Sequence, residues 1–171
     1  MKKSSRGFSL IELLIVVAII LIIAAIAIPN LLRSRIAANQ ASAVGSLRTL
    51  NTAEVTYATT YNTGYSATLG DLGPATGGTT PVATAAGLVD EVLSGSLAGT
   101  ATATTSSKSG YTFTYTPGGV DTSNRINTYS ITATPISVGT TGTNYYYSDQ
   151  SGVIRQNSTA VAGSSDSPLA G

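Results

Sequence analysis

The residue with the most unusual chemistry is Glu12, a single carboxylate inside an otherwise apolar run. Between residues 8 and 28 the only other polar side chain is Ser9. A charged side chain at the centre of a membrane-spanning helix costs about 2.5–3.5 kcal/mol on insertion scales. Such residues are functional candidates by default. Because an unpaired buried charge is strongly unfavourable, the sequence predicts that Glu12 has a partner.

The rest of the chain offers little for catalysis or for metal binding. It has no cysteine and no histidine, which excludes disulfides and thiolate zinc sites and removes the commonest general base. Carboxylates at Asp121 and Asp149 belong to turn-like segments with oxygen ligands, but acids are too sparse there for a good calcium site. The formal net charge is only +1, which gives no indication of a nucleic-acid partner. We therefore expect no enzymatic activity, no cofactor and no metal.

The first thirty residues have three interpretations. A basic leader precedes the apolar run, and it contains Lys2, Lys3 and Arg6. With Ala25-Ile26-Ala27 as a cleavage site, this is the pattern of a secretory signal, although the apolar run is long for one and Glu12 has no use there. As an ordinary membrane anchor, residues 8–28 span roughly 30 Å as a helix, the thickness of a bilayer core. An ordinary anchor also leaves Glu12 unexplained.

The third interpretation accounts for Glu12. The residues from Lys2 to Ile20, with Gly7-Phe8 at their centre, Glu12 at the fifth position after that junction, and Pro29 beyond, resemble the leader of bacterial type IV prepilins. The resemblance covers roughly the first 30 residues. It implies that a membrane prepilin peptidase cuts between Gly7 and Phe8 and that Phe8 is then N-methylated. Unlike the cleavage of a secretory signal, this cut leaves the apolar segment attached.

The same resemblance gives Glu12 a role in assembly. Cleavage creates an α-amino cation on Phe8, and Phe8 and Glu12 stand four residues apart, on one face of a helix. The resemblance implies that Glu12 neutralises the Phe8 amine of a neighbouring subunit, which couples charge pairing to assembly. Pairing of Glu12 with the Phe8 amine of its own chain is the open alternative.

Beyond the apolar run, apolar residues recur at steps of three and four, which predicts an amphipathic helix that ends at Asn62-Thr63-Gly64. The whole helix would have about 55 residues and a length of roughly 80 Å. Pro29 interrupts it at roughly 3 kcal/mol, either as a simple kink or as a point where the helix melts during filament packing. The face predicted to be buried comprises Leu31, Leu32, Ile36, Ala43, Val44, Leu47, Leu50, Tyr57, Ala58 and Tyr61.

The C-terminal part predicts a small β-sheet head. Residues 62–110 are interpreted as a connecting loop with a short helix over 84–94. From residue 111 the period changes to two, as in Tyr111-Thr112-Phe113-Thr114, which predicts three or four antiparallel strands. Their apolar face would pack on the exposed half of the long helix. The tail after residue 157 is small and polar, and we expect it to be mobile or docked on a neighbouring subunit.

The sequence thus predicts an α+β, pilin-like fold, a long N-terminal helix packed on a small antiparallel sheet. It divides into a leader to be removed (1–7), a transmembrane or filament-core helix (8–30), the amphipathic half of the long helix (31–61), the connecting loop (62–110), and the sheet with its tail (111–171). The head is rich in serine and threonine, as in 102–107, and Asn157-Ser158-Thr159 fits an N-glycosylation triplet. These residues predict a glycoprotein. The alternative is that Thr is frequent here because it favours strands and Ser because it favours turns.

The function implied by the resemblance is that of a major pilin, a structural subunit that forms a homopolymer. Its expected partners are the prepilin peptidase, the pilus assembly machinery and the bacterial inner membrane, which it leaves for an extracellular filament used in adhesion or motility. A pseudopilin of type II secretion or a minor pilin is the alternative, and the absence of an acidic C-terminal loop argues against the major pseudopilin. A monomeric single-pass protein with a ligand-binding head is the third interpretation.

Overall fold

The computed structural model describes residues 8–75, 80–96 and 102–169. The chain divides into two compact units, the first ending at Arg35 and the second beginning at Ile36. Helix α1 spans Leu10–Tyr61 and contributes its first part to the first unit and its second part to the second unit.

The first unit is an uncovered apolar helix. Leu10 is 80% exposed and Leu21 is 64% exposed. Nothing is buried in its most apolar stretch, and the helix is long and apolar enough to cross a membrane by length and composition. Contiguous apolar surface of this extent marks a site of contact with a membrane or with other proteins.

The second unit contains a five-stranded antiparallel sheet whose order follows the sequence, β1-β2-β3-β4-β5. Alternation sets its two faces: Phe113 pairs with Ala133 and both are buried, whereas the neighbouring Thr114 and Thr132 turn outward. The sequence predicted three or four strands. It missed the first, because Thr-Ser-Ser-Lys carries no alternation of apolar and polar residues. The strands are β1 Thr105–Lys108, β2 Tyr111–Val120, β3 Ile126–Pro135, β4 Tyr145–Asp149 and β5 Arg155–Asn157.

One face of α1 packs on this sheet, as predicted, and the core is rich in tyrosine. Tyr111, Tyr115 and Ile131 of the sheet are at most 2% exposed. The helical face is shorter than predicted, because Leu31 and Leu32 are 70% and 47% exposed. Hydrogen bonds between α1 and the loops of the sheet begin further along, where Asn39 donates to the carbonyl of Thr141 at 2.8 Å. The core residues of α1 are Ala43, Val44, Leu47, Leu50, Ala53 and Tyr57.

The connection between α1 and the sheet contains two single-turn helices, α2 Leu69–Leu72 and α3 Glu91–Ser94. The helix predicted over residues 84–94 is therefore limited to its last turn. The residues before it bond to α2 instead of to one another: the Ala86 amide donates to the Asp71 carbonyl, and the Leu88 amide donates to the Leu72 carbonyl, both at 2.8 Å. This pairing competes with helical hydrogen bonds and explains the difference.

The C-terminal tail docks on its own domain, contrary to the expectation that it is mobile or bound to a neighbour. The Gln156 amide donates to the Ser167 carbonyl at 3.0 Å, and the Leu169 amide donates to the Ile154 carbonyl at 2.8 Å. The Asp166 carboxylate accepts from the Asn157 side-chain amide at 2.9 Å and from the Gly163 backbone amide at 2.7 Å. Local contacts of this kind hold a polar segment that has no apolar pattern to reveal its position.

Replacing Asp166 with alanine is expected to free this tail. The change leaves the Asn157 and Gly163 donors without their acceptor, which costs roughly 1–3 kcal/mol when such groups are buried. We expect faster limited proteolysis within residues 158–169, measured by mass spectrometry of the fragments. Ser165→Ala, at an exposed neighbouring position, is the matched control. Equal cleavage rates in the two variants and the wild type would show that Asp166 does not hold the tail.

Candidate processing and assembly segment

The predicted processing site lies at the start of the described chain. Gly7 lies outside the described residues. Phe8 is 77% exposed, and Phe8 and Ser9 precede the first residue of α1, Leu10. Phe8 therefore stands before the first turn of the helix, and its side chain is open to solvent.

Glu12 has a hydrogen-bonding partner in its own chain. Its Oε2 accepts from the backbone amide of Ser9 at 2.9 Å. Ser9 occupies the N-cap position and Glu12 the third helical position, so this contact is one half of a capping box. A negative charge in the first turn also interacts favourably with the helix dipole. Ser9 and Glu12 have the Ser-x-x-Glu spacing of a capping box in the sequence, but this role of Glu12 was not predicted.

The capping bond does not neutralise Glu12. The Ser9 amide is an uncharged donor, and it occupies one of the two carboxylate oxygens. Within residues 8–75, 80–96 and 102–169 the ion pairs are Lys108–Asp90 and Arg125–Asp121, and neither includes Glu12. Among the described residues, Glu12 thus has a capping hydrogen bond but no cation paired with it.

Pro29 lies inside α1, and the helix is assigned continuously on both sides of it. Proline has no backbone N–H, so the Ala25 carbonyl lacks its helical donor at this turn. Both predicted consequences, a kink and local melting during assembly, start from this missing bond. Pro29 and Glu12 are not brought together, because the helical rise between them amounts to roughly 25 Å along the axis.

A fully buried carboxylate, Glu54, was missed by the sequence analysis. It lies on α1 in the second unit and is 0% exposed. Its Oε2 accepts from the Ser66 amide at 2.9 Å, and its Oε1 lies 2.6 Å from the Ser66 hydroxyl. Burial raises the pKa of Glu54, against the opposing hydrogen bonds from Ser66. Glu54 follows Leu50 by four residues, a spacing that places it on the buried face and gave the available signal.

The predicted glycosylation triplet is occupied by structural hydrogen bonds. The Asn157 side-chain oxygen accepts from the Thr159 amide, the Thr159 hydroxyl and the Ala160 amide, at 2.9, 3.0 and 3.1 Å. Its nitrogen donates to Asp166. An N-linked glycan on Asn157 would be attached to this nitrogen, the atom that bonds to Asp166. Within 102–107, Ser106 is buried and is not accessible as an acceptor, whereas Thr102 is exposed.

The two acidic turns are likewise used for structure. Asp121 accepts from the backbone amides of Ser123 and Arg125 and from the Arg125 guanidinium. Asp149 accepts from the Ser151 amide at 2.9 Å. Throughout the part of the chain that the structure describes, no three side chains of His, Cys, Asp or Glu are grouped so that they could hold a metal ion.

Comparison with known proteins identifies the N-terminal segment. Residues 2–28 match the family model described as the prokaryotic N-terminal methylation motif. The chain is 51% identical over 53 residues to the type IV major pilin protein PilA of Myxococcus xanthus, covering 31% of this chain and 24% of that protein. It is 62% identical over 37 residues to the type IV wide pilus major component PilA4 of Thermus thermophilus, covering 22% of this chain and 28% of that protein.

The matched regions span about a quarter of the length of these relatives. No solved structure shows significant similarity to the chain. The pilin-like architecture, a long N-terminal helix packed on a small antiparallel sheet, therefore rests on the fold described above. The N-terminal segment of the chain is therefore similar to the prokaryotic N-terminal methylation motif, and the relatives that it matches are named as type IV pilins.

Proposed function

We propose that this chain is the major structural subunit of a type IV pilus and has no catalytic role. The observation that carries the proposal is an uncovered apolar helix with one carboxylate, placed directly behind the methylation-motif junction and attached to a folded head. A helix of this kind is stable only in lipid or against other apolar helices. The membrane provides the first environment before assembly, and the core of a filament provides the second after α1 has polymerised.

The proposed route begins in the bacterial inner membrane, where residues 8–30 span the bilayer and the leader, residues 1–7, stays cytoplasmic by the positive-inside rule. A prepilin peptidase cuts between Gly7 and Phe8 and Phe8 is N-methylated. The assembly machinery then transfers the subunit into an extracellular homopolymer. The Phe8 amine of one subunit meets Glu12 of its neighbour, and the weakened turn at Pro29 adapts the helix to the filament.

The choice of a major pilin over a minor pilin or a pseudopilin is supported by the relatives. Both matched proteins are named as major components of type IV pili. A major pseudopilin would be expected to have an acidic C-terminal loop. Asp121 and Asp149 instead accept hydrogen bonds within their own turns. Among the described residues, no three acidic side chains are grouped so that they could hold a metal ion.

Shearing the cells and imaging the supernatant by electron microscopy tests this function, with mass spectrometry of the recovered chain. We expect long fibres built from a chain that begins at Phe8 and carries one added methyl group. A strain lacking the gene is the control. A processed chain that stays in the envelope without fibres would favour a minor pilin or a pseudopilin, and a chain that begins at Met1 would contradict the proposed processing.

The same mass spectrum tests for glycans. A mass equal to residues 8–171 plus one methyl group would exclude glycosylation, whereas excess mass with Asn157 unmodified would point to the exposed hydroxyls of the head.

A further inference from the structure

The buried carboxyl group of Glu54 joins three parts of the second unit. Glu54 belongs to α1, Ser66 belongs to the segment that follows α1, and Tyr115 belongs to β2. Ser66 is also 0% exposed. The Tyr115 hydroxyl donates to the Ser66 carbonyl at 2.7 Å and lies 3.3 Å from the Ser66 hydroxyl. These contacts make one closed group of polar atoms inside a tyrosine-rich core.

If Glu54 is ionised, this group has one proton too few to make a hydrogen bond of every short oxygen–oxygen contact. Ser66 has a single hydroxyl proton, yet its Oγ lies 2.6 Å from Glu54 Oε1 and 2.9 Å from the Thr68 carbonyl oxygen. The proton of Tyr115 is already directed to the Ser66 carbonyl. If Glu54 Oε1 is protonated, it donates to Ser66 Oγ, and the Ser66 hydroxyl is free to donate to Thr68. All the short contacts are then hydrogen bonds.

The charged groups around Glu54 agree with this count. Asp71 of α2 acts on it as a second negative charge and raises its pKa further, after burial as the main cause. Burial is the main cause that raises the pKa of Tyr57, Tyr115 and Tyr129, and an ionised Glu54 would raise each of them further. Hydrogen bonds from Ser66 and Tyr115 act in the opposite direction and lower the pKa of Glu54, but burial outweighs them. Among the described residues, neither of the two ion pairs includes Glu54.

We propose that Glu54 is a neutral carboxylic acid in the folded protein. Its proton completes the hydrogen bonds that join α1, the following segment and β2, and we call this group of hydrogen bonds the latch. Loss of this proton places a negative charge in the core, leaves two acceptors competing for the Ser66 proton, and loosens the attachment of the segment that contains Ser66. The second unit is then most stable in acid, and its stability falls as the pH rises. This inference concerns the second unit and does not depend on the proposed pilus function.

The direction of the pH effect follows from proton linkage. In the unfolded chain Glu54 ionises around its ordinary value of 4.5, whereas the folded chain keeps the proton to higher pH. Between these two values the folded state holds more protons, so stability falls as the pH rises. For one proton the unfolding constant increases by about tenfold per pH unit in this window. Asp71, whose pKa burial also raises, adds an effect of the same sign.

Glu54→Gln isolates the contribution of Glu54. A glutamine side chain has nearly the same shape, its nitrogen donates to Ser66 Oγ as the protonated acid would, and its oxygen accepts from the Ser66 amide. The test uses the purified full-length protein in detergent micelles, unfolded by urea and followed by tyrosine fluorescence. We expect the wild type and E54Q to have similar midpoints at acidic pH, and the wild-type midpoint to fall below that of E54Q as the pH rises. Glu91→Gln, at an exposed carboxylate, is the matched control and should follow the wild type.

Infrared difference spectroscopy reads the proton directly. We expect the wild type and E91Q to keep a carboxylic-acid carbonyl band above pH 4.5, the ordinary pKa of a glutamate, and we expect the Glu54 part of this band to be absent in E54Q. A band that disappears on alkaline titration together with the fall in midpoint supports the latch. The proposal is overturned if no such band distinguishes the wild type from E54Q, or if the two proteins keep the same difference in midpoint at every pH.

Discussion

Glu12→Gln is expected to abolish surface filaments as completely as Glu12→Ala. A glutamine at the third helical position still accepts from the Ser9 amide, the contact that Glu12 makes at 2.9 Å. It lacks the charge that would neutralise the Phe8 amine of a neighbouring subunit. Leaving one member of a buried ion pair without its partner costs roughly 3–5 kcal/mol, and every subunit in a filament would bear that cost.

The pair of variants separates charge from helix capping. Fibre yield would be measured from sheared cells by electron microscopy and immunoblotting, normalised to the membrane-inserted chain. If glutamine gives wild-type fibres and alanine does not, Glu12 serves as a cap for its own helix. Unchanged fibre yield in both variants would contradict any role of Glu12 in assembly.

Gly64→Ala is expected to destabilise the second unit strongly. Gly64 has φ +83°, and an added Cβ would lie 2.7 Å from the Ile126 nitrogen and 2.9 Å from the Ile126 carbonyl carbon. These are backbone atoms of β3, held by the Tyr65 amide, which donates to the Ile126 carbonyl at 2.8 Å. The left-handed conformation alone costs a residue with a Cβ about 1–2 kcal/mol. With the displaced strand, we expect a total loss of roughly 3–4 kcal/mol.

Gly152→Ala is the matched control. Gly152 has φ +72°, and its added Cβ would meet nothing within 4 Å. The control therefore carries the conformational cost of about 1–2 kcal/mol without the clash. Urea unfolding followed by tyrosine fluorescence compares the two variants. Equal losses of stability would show that the close approach of Gly64 to β3 relaxes without cost.

Much of the fold could be predicted because its main elements have clear periods. The apolar run and the spacing of Leu47, Leu50 and Tyr57 predicted the helix, and the alternation around Phe113 and Ile131 predicted the central strands. Strand β1 could not be found in this way, since it is a polar edge strand defined by its pairing with β2. The docked tail was missed for a similar reason, because its polar residues act through single hydrogen bonds and not through a pattern of burial.

The candidate sites divide in the same way. Glu12 stood out because a carboxylate in an apolar run contradicts its surroundings. Glu54 did not, because a carboxylate on an amphipathic helix is ordinarily solvated. Its surroundings depend on the turn of the chain that brings Ser66 back to it from 12 residues further on, and on β2, which carries Tyr115. The four-residue spacing from Leu50 was an available signal that went unused, and it carries no information about the atoms that bond to Glu54.

The docked tail also covers the edge of the sheet beside β5. The tail forms an isolated antiparallel bridge beside β5, in which Pro168 lies opposite Arg155 and two backbone hydrogen bonds flank the pair. Edge strands are templates for pairing with other chains, and a proline at the edge blocks this because it has no N–H to donate. On this side, the sheet therefore ends in a residue that cannot extend it. In the proposed polymer, neighbouring heads would find no backbone N–H at this position with which to pair strand to strand.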